Sequence, residues 1–577
     1  MGRYLITTAD ENTWPIDKPV LFLGVWCKRY NREHVWSQLD SKTAKPYLDR
    51  EADRTLSILF DQLLTELVEA LNEFHKVSYS RRYWNIIVGP WLRQYLKVII
   101  NRFKSLDIAL SQHNVSNTLV YKSKENSLIV KDIAEFCRAI NNDVWNSSLY
   151  SELLSDFNRS NLKIDILDIK AEKVSFLKNY KTTRKRKLLL YLAKLFNKIH
   201  RASDAFIVKS YLPAIDEIRL QVGLWQIPQL WVTPNLNYTG VDALTRATFG
   251  LDCENYSGLD RVSRKFISKL LPTSYLENYK NIYNQVANFS WPSRPKFIFT
   301  SNSFAYDEGF KFWAAQKAED GVPYYIGQHG SNYGTVHYSC NWTELTTCDK
   351  FLSWGWTDAY DSVDIVPAFN FKTARVRELC HNEMGSLLLM ERGPGLHDGP
   401  KDRQFIHSIY QKDMLHFFDY LPDYVRRHVT VRLHHGSNDL GSSDKNLWEA
   451  HSDSVSIDLG TRPLNHLLSE SRVVVITYDS SAILEMLAFD IPVVCFWRDG
   501  FSHLLSDALP YYELLSNVGI IHDTPESAAR HIATHWDKME LWWNKDEVRT
   551  ARNKFCNKYA KIVENPIATL KKILLCE

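Results

Sequence analysis

The chain has 577 residues, 45% of them hydrophobic and 24% charged, and a net charge of +3. That length exceeds one hydrophobic core and predicts two to four domains, while the ordinary composition excludes global disorder. Near-neutral charge, with no basic strip of aromatic spacing, disfavours a nucleic-acid binder. The start of the chain shows no signal-peptide pattern, and Gly2 is followed by Ile6 where myristoylation needs Ser or Thr. The apolar run Pro19 to Gly24 predicts a buried strand ending in a loop. Leu56 to Phe74 and Tyr83 to Phe103 repeat apolar residues at helical spacing, the second broken at Gly89-Pro90. From 106 to 180 short strands and helices alternate, including Asn117 to Tyr121 and Lys163 to Ile169. The stretch 205 to 290 carries little periodicity.

From Pro295 the pattern sharpens. Strands are predicted at Lys296 to Thr300, Tyr324 to Gly327, Lys350 to Trp354, Ser386 to Met390, Val429 to Leu433, Val455 to Leu459, Val473 to Thr477 and Pro492 to Phe496. Helical segments at Tyr306 to Asp320, Asp402 to Tyr420, Leu464 to Glu470 and Ser481 to Phe489 alternate with them. Short buried runs separated by helices predict one parallel, Rossmann-like domain over 295 to 525. An N-terminal α/β domain with helical insertions covers 1 to 294, and a helical segment closes the chain from 526 to 577. The expected class is α/β, two Rossmann-like domains facing a cleft, where strand ends hold ligands. Nine scattered cysteines, odd in number and without a C-x-x-C pair, predict neither a zinc site nor a disulfide framework, and a reducing compartment. No apolar stretch reaches the length of a spanning helix. The expected location is cytoplasmic.

Three segments carry chemistry. Ile476 to Glu485 (ITYDSSAILE) runs from a strand through a polar turn into a helix, whose first N–H groups and positive dipole end can hold phosphate. Thr477 lies in that turn, Ser480 and Ser481 add hydroxyls, and Glu485, one turn on, can accept from ribose hydroxyls. Simple helix capping by Asp479 or Ser480 is the bland alternative. Gly327 to Gly334 (GQHGSNYG) follows a strand, so that Gln328 and Gly330 flank His329, a candidate base or leaving-group stabiliser. Its bland alternative is a histidine bonded to its own turn. Arg432 and His434 share one side of the strand VTVRL and can face a diphosphate, while His435 points away. The spacing of His434, His435 and Asp439 fits no common metal site, and no metal is expected.

Glu308, in the first turn after KFIFT, is a second acid or base candidate beside a plain dipole role for it and Asp307. Glu391-Arg392-Gly393 follows SLLLM toward the same edge. In the N-terminal half Trp26, Asn31, Glu33 and His34, with Trp84 and Trp91, are acceptor-side candidates or plain structural residues. The stretch 184 to 201 interleaves Arg184, Lys185, Arg186 and Lys187 with leucines. It reads as a membrane-surface helix or as a solvated helix packed on its own domain.

The segments FLGVWC, SRRYWNIIVGPWL and TYDSSAILEMLAFDIPVVCFW, with the later ALPYYELLSNVGIIHDTPESAA, resemble a bacterial family of transferases encoded in O-antigen and surface-polysaccharide gene clusters. More distantly, QHG followed by strand, Asp, Ser, Ser and helix is similar to GT-B enzymes using cytidine-linked donors, the Kdo transferases and CDP-glycerol glycerophosphotransferases. That resemblance implies a base at His329 and phosphate contacts at Ser480 and Ser481. It implies a GT-B glycosyltransferase that takes a nucleotide sugar, such as a CMP-activated Kdo or nonulosonate, and a carbohydrate or lipid-linked acceptor, without a cofactor. A CDP-polyol phosphotransferase and a non-catalytic sugar- or nucleotide-binding scaffold are the competing readings.

Overall fold

The computed structural model describes residues 2–576 except 30–31, 46–51, 123–125, 158–161, 169–198, 331–332, 338–342, 358–362, 375–380, 392–399, 435–443, 450, 452–454 and 498–499. Asn31, Arg392, Gly393, His435, Asp439 and the 184 to 201 segment up to 198 therefore lie outside the described residues. So does the end of the strand expected at Lys163 to Ile169.

Strands β1 (Arg3–Ile6), β2 (Val20–Phe22), β3 (Ser41–Thr43), β4 (Val115–Tyr121) and β5 (Lys163–Leu167) form a first sheet in the order β3-β2-β1-β4-β5. A second sheet runs β10-β9-β8-β7-β6, from β6 (Phe206–Val208), β7 (Ile298–Thr300), β8 (Tyr324–Gly327), β9 (Lys350–Ser353) and β10 (Ile365–Pro367). The third orders β11 (Ser386–Met390), β12 (Val429–Arg432), β13 (Val455–Asp458), β14 (Ser471–Ile476), β15 (Val493–Phe496) and β16 (Ile521–His522) as β13-β12-β11-β14-β15-β16. Neighbouring strands pair in parallel, as near-continuous apolar runs such as β14 (SRVVVI) and β15 (VVCF), buried along their whole length, require.

The α/β class with parallel sheets is present, but in three sheets, and the residues are shared out differently. The strands expected in one sheet over 295 to 525 lie in two, and β6, from the stretch of little periodicity, belongs with β7 to β10. Run length and apolarity report that a strand is buried, not which sheet buries it. The break expected at Gly89-Pro90 is likewise absent, because Arg81–Gln112 is one helix with Pro90 inside it. Trp84, Ile87, Val88, Trp91, Leu92, Tyr95 and Leu96 are buried along that helix. Their burial outweighs the roughly 3 kcal/mol that an interior proline costs.

The chain end ties the sheets together. The helix Asp546–Tyr559 puts Phe555 edge-on to Tyr512 beside the third sheet. Pro566–Leu575 then packs Leu570 and Leu574 with Ile207 and Phe297 of the second. The crossing passes Gly355, where any Cβ would stand 2.9 Å from the Asn557 and Lys558 carbonyl oxygens and the backbone is left-handed (φ 129°). Among the described residues no helix is long and apolar enough to cross a membrane.

Candidate active site

At the tip of β14 the chain turns through Thr477 to Ser480 into the helix Ser481–Ala488. Ser480 holds the N-cap position in an extended conformation (φ −144°, ψ 160°), yet its side chain makes no cap hydrogen bond. The Oγ of Ser480 and Oγ1 of Thr477 are buried without a hydrogen-bond partner, the residues being 6% and 5% exposed. Leaving such a hydroxyl unpaired costs about 1 to 3 kcal/mol. Asp479 does not cap the helix either, since it accepts from His503 Nε2 at 3.0 Å and Tyr512 Oη at 3.2 Å. Two orphan hydroxyls therefore accompany the amides at the start of the helix, of which Ile483 N already donates to the Ser480 carbonyl at 3.1 Å.

The second component is the loop after β8. Gly327 has no room for a side chain, because a Cβ there would lie 2.5 Å from the Phe371 ring and 2.6 Å from Ser301 Oγ. Gln328 is buried and fastens the loop from behind: its Nε2 donates to the Gly330 carbonyl at 2.8 Å. Its Oε1 accepts from Trp354 N and Trp356 Nε1, both at 2.8 Å. His329 Nδ1 lies 3.1 Å from the Tyr333 hydroxyl, which donates to Glu344 Oε1 at 2.7 Å. With its one proton given to Glu344, the phenol accepts from Nδ1–H, which leaves the His329 Nε2 lone pair as the basic site. The Tyr211 ring stacks over His329 at 6.1 Å and Phe304 lies at 5.9 Å. Tyr211 reaches this position through a left-handed backbone (φ 65°), a strained conformation of the kind found at functional sites. Burial, then the Lys372 ammonium, lower the His329 pKa to about 4, so the imidazole is neutral at physiological pH.

The two components meet. A Cβ on Gly330 would stand 3.9 Å from Ser481 Oγ, and Lys372 Nζ contacts Glu485 Oε1 at 2.6 Å. Leu505 N donates to the Thr335 carbonyl at 2.8 Å, and Val336 bridges Leu504. The C-terminal edges of the second and third sheets thus face one another, with His329 on one lip and the Ser480-Ser481 turn on the other.

Of the residues singled out in the sequence, His329, Gly330, Thr477, Ser480, Ser481 and Glu485 come together here. Others do not. Gln328 supports the loop instead of facing a ligand. Arg432 pairs in register with Asp458 across β12 and β13, and its Nη1 donates to the Arg462 carbonyl at 3.0 Å and lies 3.5 Å from Asp458 Oδ2, so that nitrogen is held within its own sheet. His434 gives its backbone N–H to Glu391 Oε2 at 3.0 Å.

Glu308 is no acid or base of this cleft. It is buried against Lys311 (3.1 Å) and the Tyr275 hydroxyl (2.8 Å), and accepts from Ile133 N at 3.2 Å. Burial pushes its carboxyl pKa up. Asp307 caps the same helix through Phe310 N at 3.1 Å. Among the N-terminal candidates, Trp26 is buried and donates to the Thr7 carbonyl at 3.1 Å, Trp84 and Trp91 are core residues of the helix Arg81–Gln112, and His34 is exposed. Tyr211, Glu344 and Lys372 were missed, because each reaches the site through tertiary contacts that leave no local motif, and Tyr333, although inside GQHGSNYG, was given no role because nothing in the segment says which side chain meets the imidazole.

Among the described residues no group of three or more His, Cys, Asp or Glu side chains is placed to hold a metal ion. A family model described as LIC12162 family transferase matches residues 3–574. No curated protein matches the chain. Among solved structures, the wall teichoic acid polymerase TagF in a variant soaked with CDPG is similar at 12% identity and TM-score 0.29, over 49% of this chain and 72% of that one. WaaG, a glycosyltransferase involved in lipopolysaccharide biosynthesis, is similar at 11% identity and TM-score 0.26, over 52% of this chain and 95% of that one.

Proposed function

The chain belongs to the LIC12162 family of transferases, and from that premise we propose that it is a GT-B glycosyltransferase carrying a sugar from a nucleotide donor to a surface polysaccharide or lipid-linked acceptor. The observation that carries this reading is the pair of buried, unpartnered hydroxyls of Thr477 and Ser480 at a helix N-terminus opposite His329. Those groups suit a phosphate, whose oxygens accept what the turn has to donate. His329 Nε2 takes the proton of an acceptor hydroxyl. The freed oxygen bonds to the anomeric carbon, the bond from that carbon to the donor phosphate breaks, and its electron pair leaves with the nucleotide. The helix amides, both hydroxyls and Lys372 stabilise that departing charge, so the step calls for no metal. Glu485, released from Lys372, accepts from the ribose. The resemblance of the QHG and TYDSS segments favours a CMP-activated acidic sugar such as Kdo or a nonulosonate as donor, and a lipid-linked acceptor would set the work at the inner face of the cell membrane.

The test is a thermal-shift panel of CMP, CDP, UDP, GDP and dTDP on the wild type and Ser480→Ala. A cytidine nucleotide at 100 times its Kd stabilises the fold by about 2.7 kcal/mol, and the variant loses most of that shift. Failure of all five to shift the melting sinks the proposal. Product analysis separates the rival readings, because a CDP-polyol phosphotransferase moves the phosphate along with the polyol. Nucleotide binding without turnover in the wild type marks a scaffold, and turnover that survives His329→Ala shows that the histidine does no chemistry.

A further inference from the structure

We infer that the first sheet carries a ligand site of its own, for an uncharged, hydroxyl-rich molecule such as a carbohydrate, in the cavity beyond the C-terminal ends of β1 and β2. The sheet order β3-β2-β1-β4-β5 sends the chain from β1 to one side through β2 and to the other through β4. In an open parallel sheet the loops part at that switch point and leave a crevice. A cavity of about 510 Å³ lies there, lined by Asp10, Glu11 and Asn12 after β1, Arg29 and Arg32 after β2, Asn141 and Asn142 before the helix Asp143–Phe157, and Asp143 and Val144 in its first turn.

Its lining sets the ligand class. Arg32 holds both Glu11 oxygens at 2.6 Å, and Arg29 pairs with Asp143. Both cations are therefore matched by carboxylates, and the lining holds three acidic groups against two basic ones. Asp143 in the first helical turn also offsets the positive end of the dipole. An anion gains little from such a wall. Vicinal hydroxyls gain more, because each can give a proton to a carboxylate and accept from an amide or guanidinium. The exposed Asn12 amide, which also donates to Asp10 Oδ1, supplies a further polar group at the rim. This site stands independently of the cleft between the second and third sheets.

Saturation-transfer NMR of the full chain with the methyl glycosides of glucose, galactose, mannose and N-acetylglucosamine tests it, with inorganic phosphate as competitor. At least one glycoside gives a signal that falls tenfold or more in Asn12→Trp, which fills the cavity from its rim, and in Arg29→Gln. It persists in Ser480→Ala and in excess phosphate. The melting temperature of each variant confirms that it folds, and either cavity variant alone suffices if the other does not. No signal from any glycoside overturns the inference. So does a signal unchanged in the folded cavity variants, lost in Ser480→Ala, or displaced by phosphate.

Discussion

The Lys372 ammonium and the Glu485 carboxylate meet at 2.6 Å across the seam between the second and third sheets. Lys372 also lies 5.3 Å over the Tyr211 ring, the same ring that stacks on His329. A half-buried pair in this position links the seam to the base, because the cation adds to burial in disfavouring the imidazolium. Replacing Lys372 by Gln removes the repulsion and leaves Glu485 to attract a proton. The His329 pKa then rises from about 4 toward 6.5, by a few tenths to about one unit for loss of one partly solvated charge. In kcat/KM against pH the acid limb moves upward, and an unmoved limb would show that Lys372 does not tune the base.

His329 and Tyr333 separate chemistry from orientation. His329→Ala removes the lone pair, and a general base contributes about 10² to 10⁴ in rate. Tyr333→Phe keeps the base but frees Nδ1 from the hydroxyl 3.1 Å away, so either ring nitrogen can carry the proton. The expected loss is about tenfold in kcat with KM little changed, as for a group that positions another. Equal losses in the two variants would contradict the orientation role of Tyr333.

Thr477 and Ser480 predict opposite effects on stability and binding. Their hydroxyls are buried and unpaired without a ligand, so removing one relieves a desolvation cost of about 1 to 3 kcal/mol, less the packing lost. Thr477→Val and Ser480→Ala are expected to melt at the wild-type temperature or above it while giving smaller nucleotide-induced shifts. A variant that melts lower and binds nucleotide as well as the wild type would make these hydroxyls structural.

Much of this site was legible in the sequence, since ITYDSS and GQHG are local patterns, strand followed by turn, that announce their geometry. What stayed hidden was tertiary. Arg432 looked available on its strand, but the residue opposite it in register is Asp458, and no local pattern says which strand will be the neighbour. Lys372 is 113 positions from its partner Glu485. The division of 295 to 525 between two sheets was invisible because a parallel strand reads the same in either. β6 was missed because its three residues stand in a stretch without the alternating helices that framed the other short strands.

Glu308 and Lys311 test that same distinction. Lys311 Nζ donates to the Ile87 carbonyl at 3.1 Å and the Tyr275 hydroxyl at 2.9 Å, and with Glu308 it joins the helix Arg81–Gln112 to the helix Glu308–Glu319. Removing one partner of a buried pair costs about 3 to 5 kcal/mol, while replacing both by apolar residues restores much of it. Glu308→Leu is expected to lower the melting temperature sharply, and Glu308→Leu with Lys311→Met to recover part of the loss. Turnover per folded molecule stays at the wild-type level, and a specific loss of kcat in the double variant would return Glu308 to the catalytic set.

Acid should loosen the fold through its buried histidines. Burial lowers the pKa of His75 and His329 to about 4, and that of His531 to about 3, with His522, His535 and Lys545 adding to the shift on His531. Each is neutral when folded and titrates at 6.5 when free, so between those values the unfolded chain binds more protons and stability falls as pH falls. The stabilisation is whole above about pH 6.5 and lost progressively below it, by about 1.4 kcal/mol for each unit of depression. Burial raises the carboxyl pKa of Glu135, Glu217, Glu308 and Glu344, and these act in the opposite sense, stability from them returning as pH falls. The wild-type curve therefore mixes both signs. Comparison with His531→Leu cancels the carboxylates, because they are common to both proteins. The difference in melting temperature between wild type and variant should shift in the variant's favour as pH drops from 7 to 4.5. A difference constant across that range would mean that His531, whose Nε2 has no partner, is protonated in the folded protein as readily as in the unfolded chain.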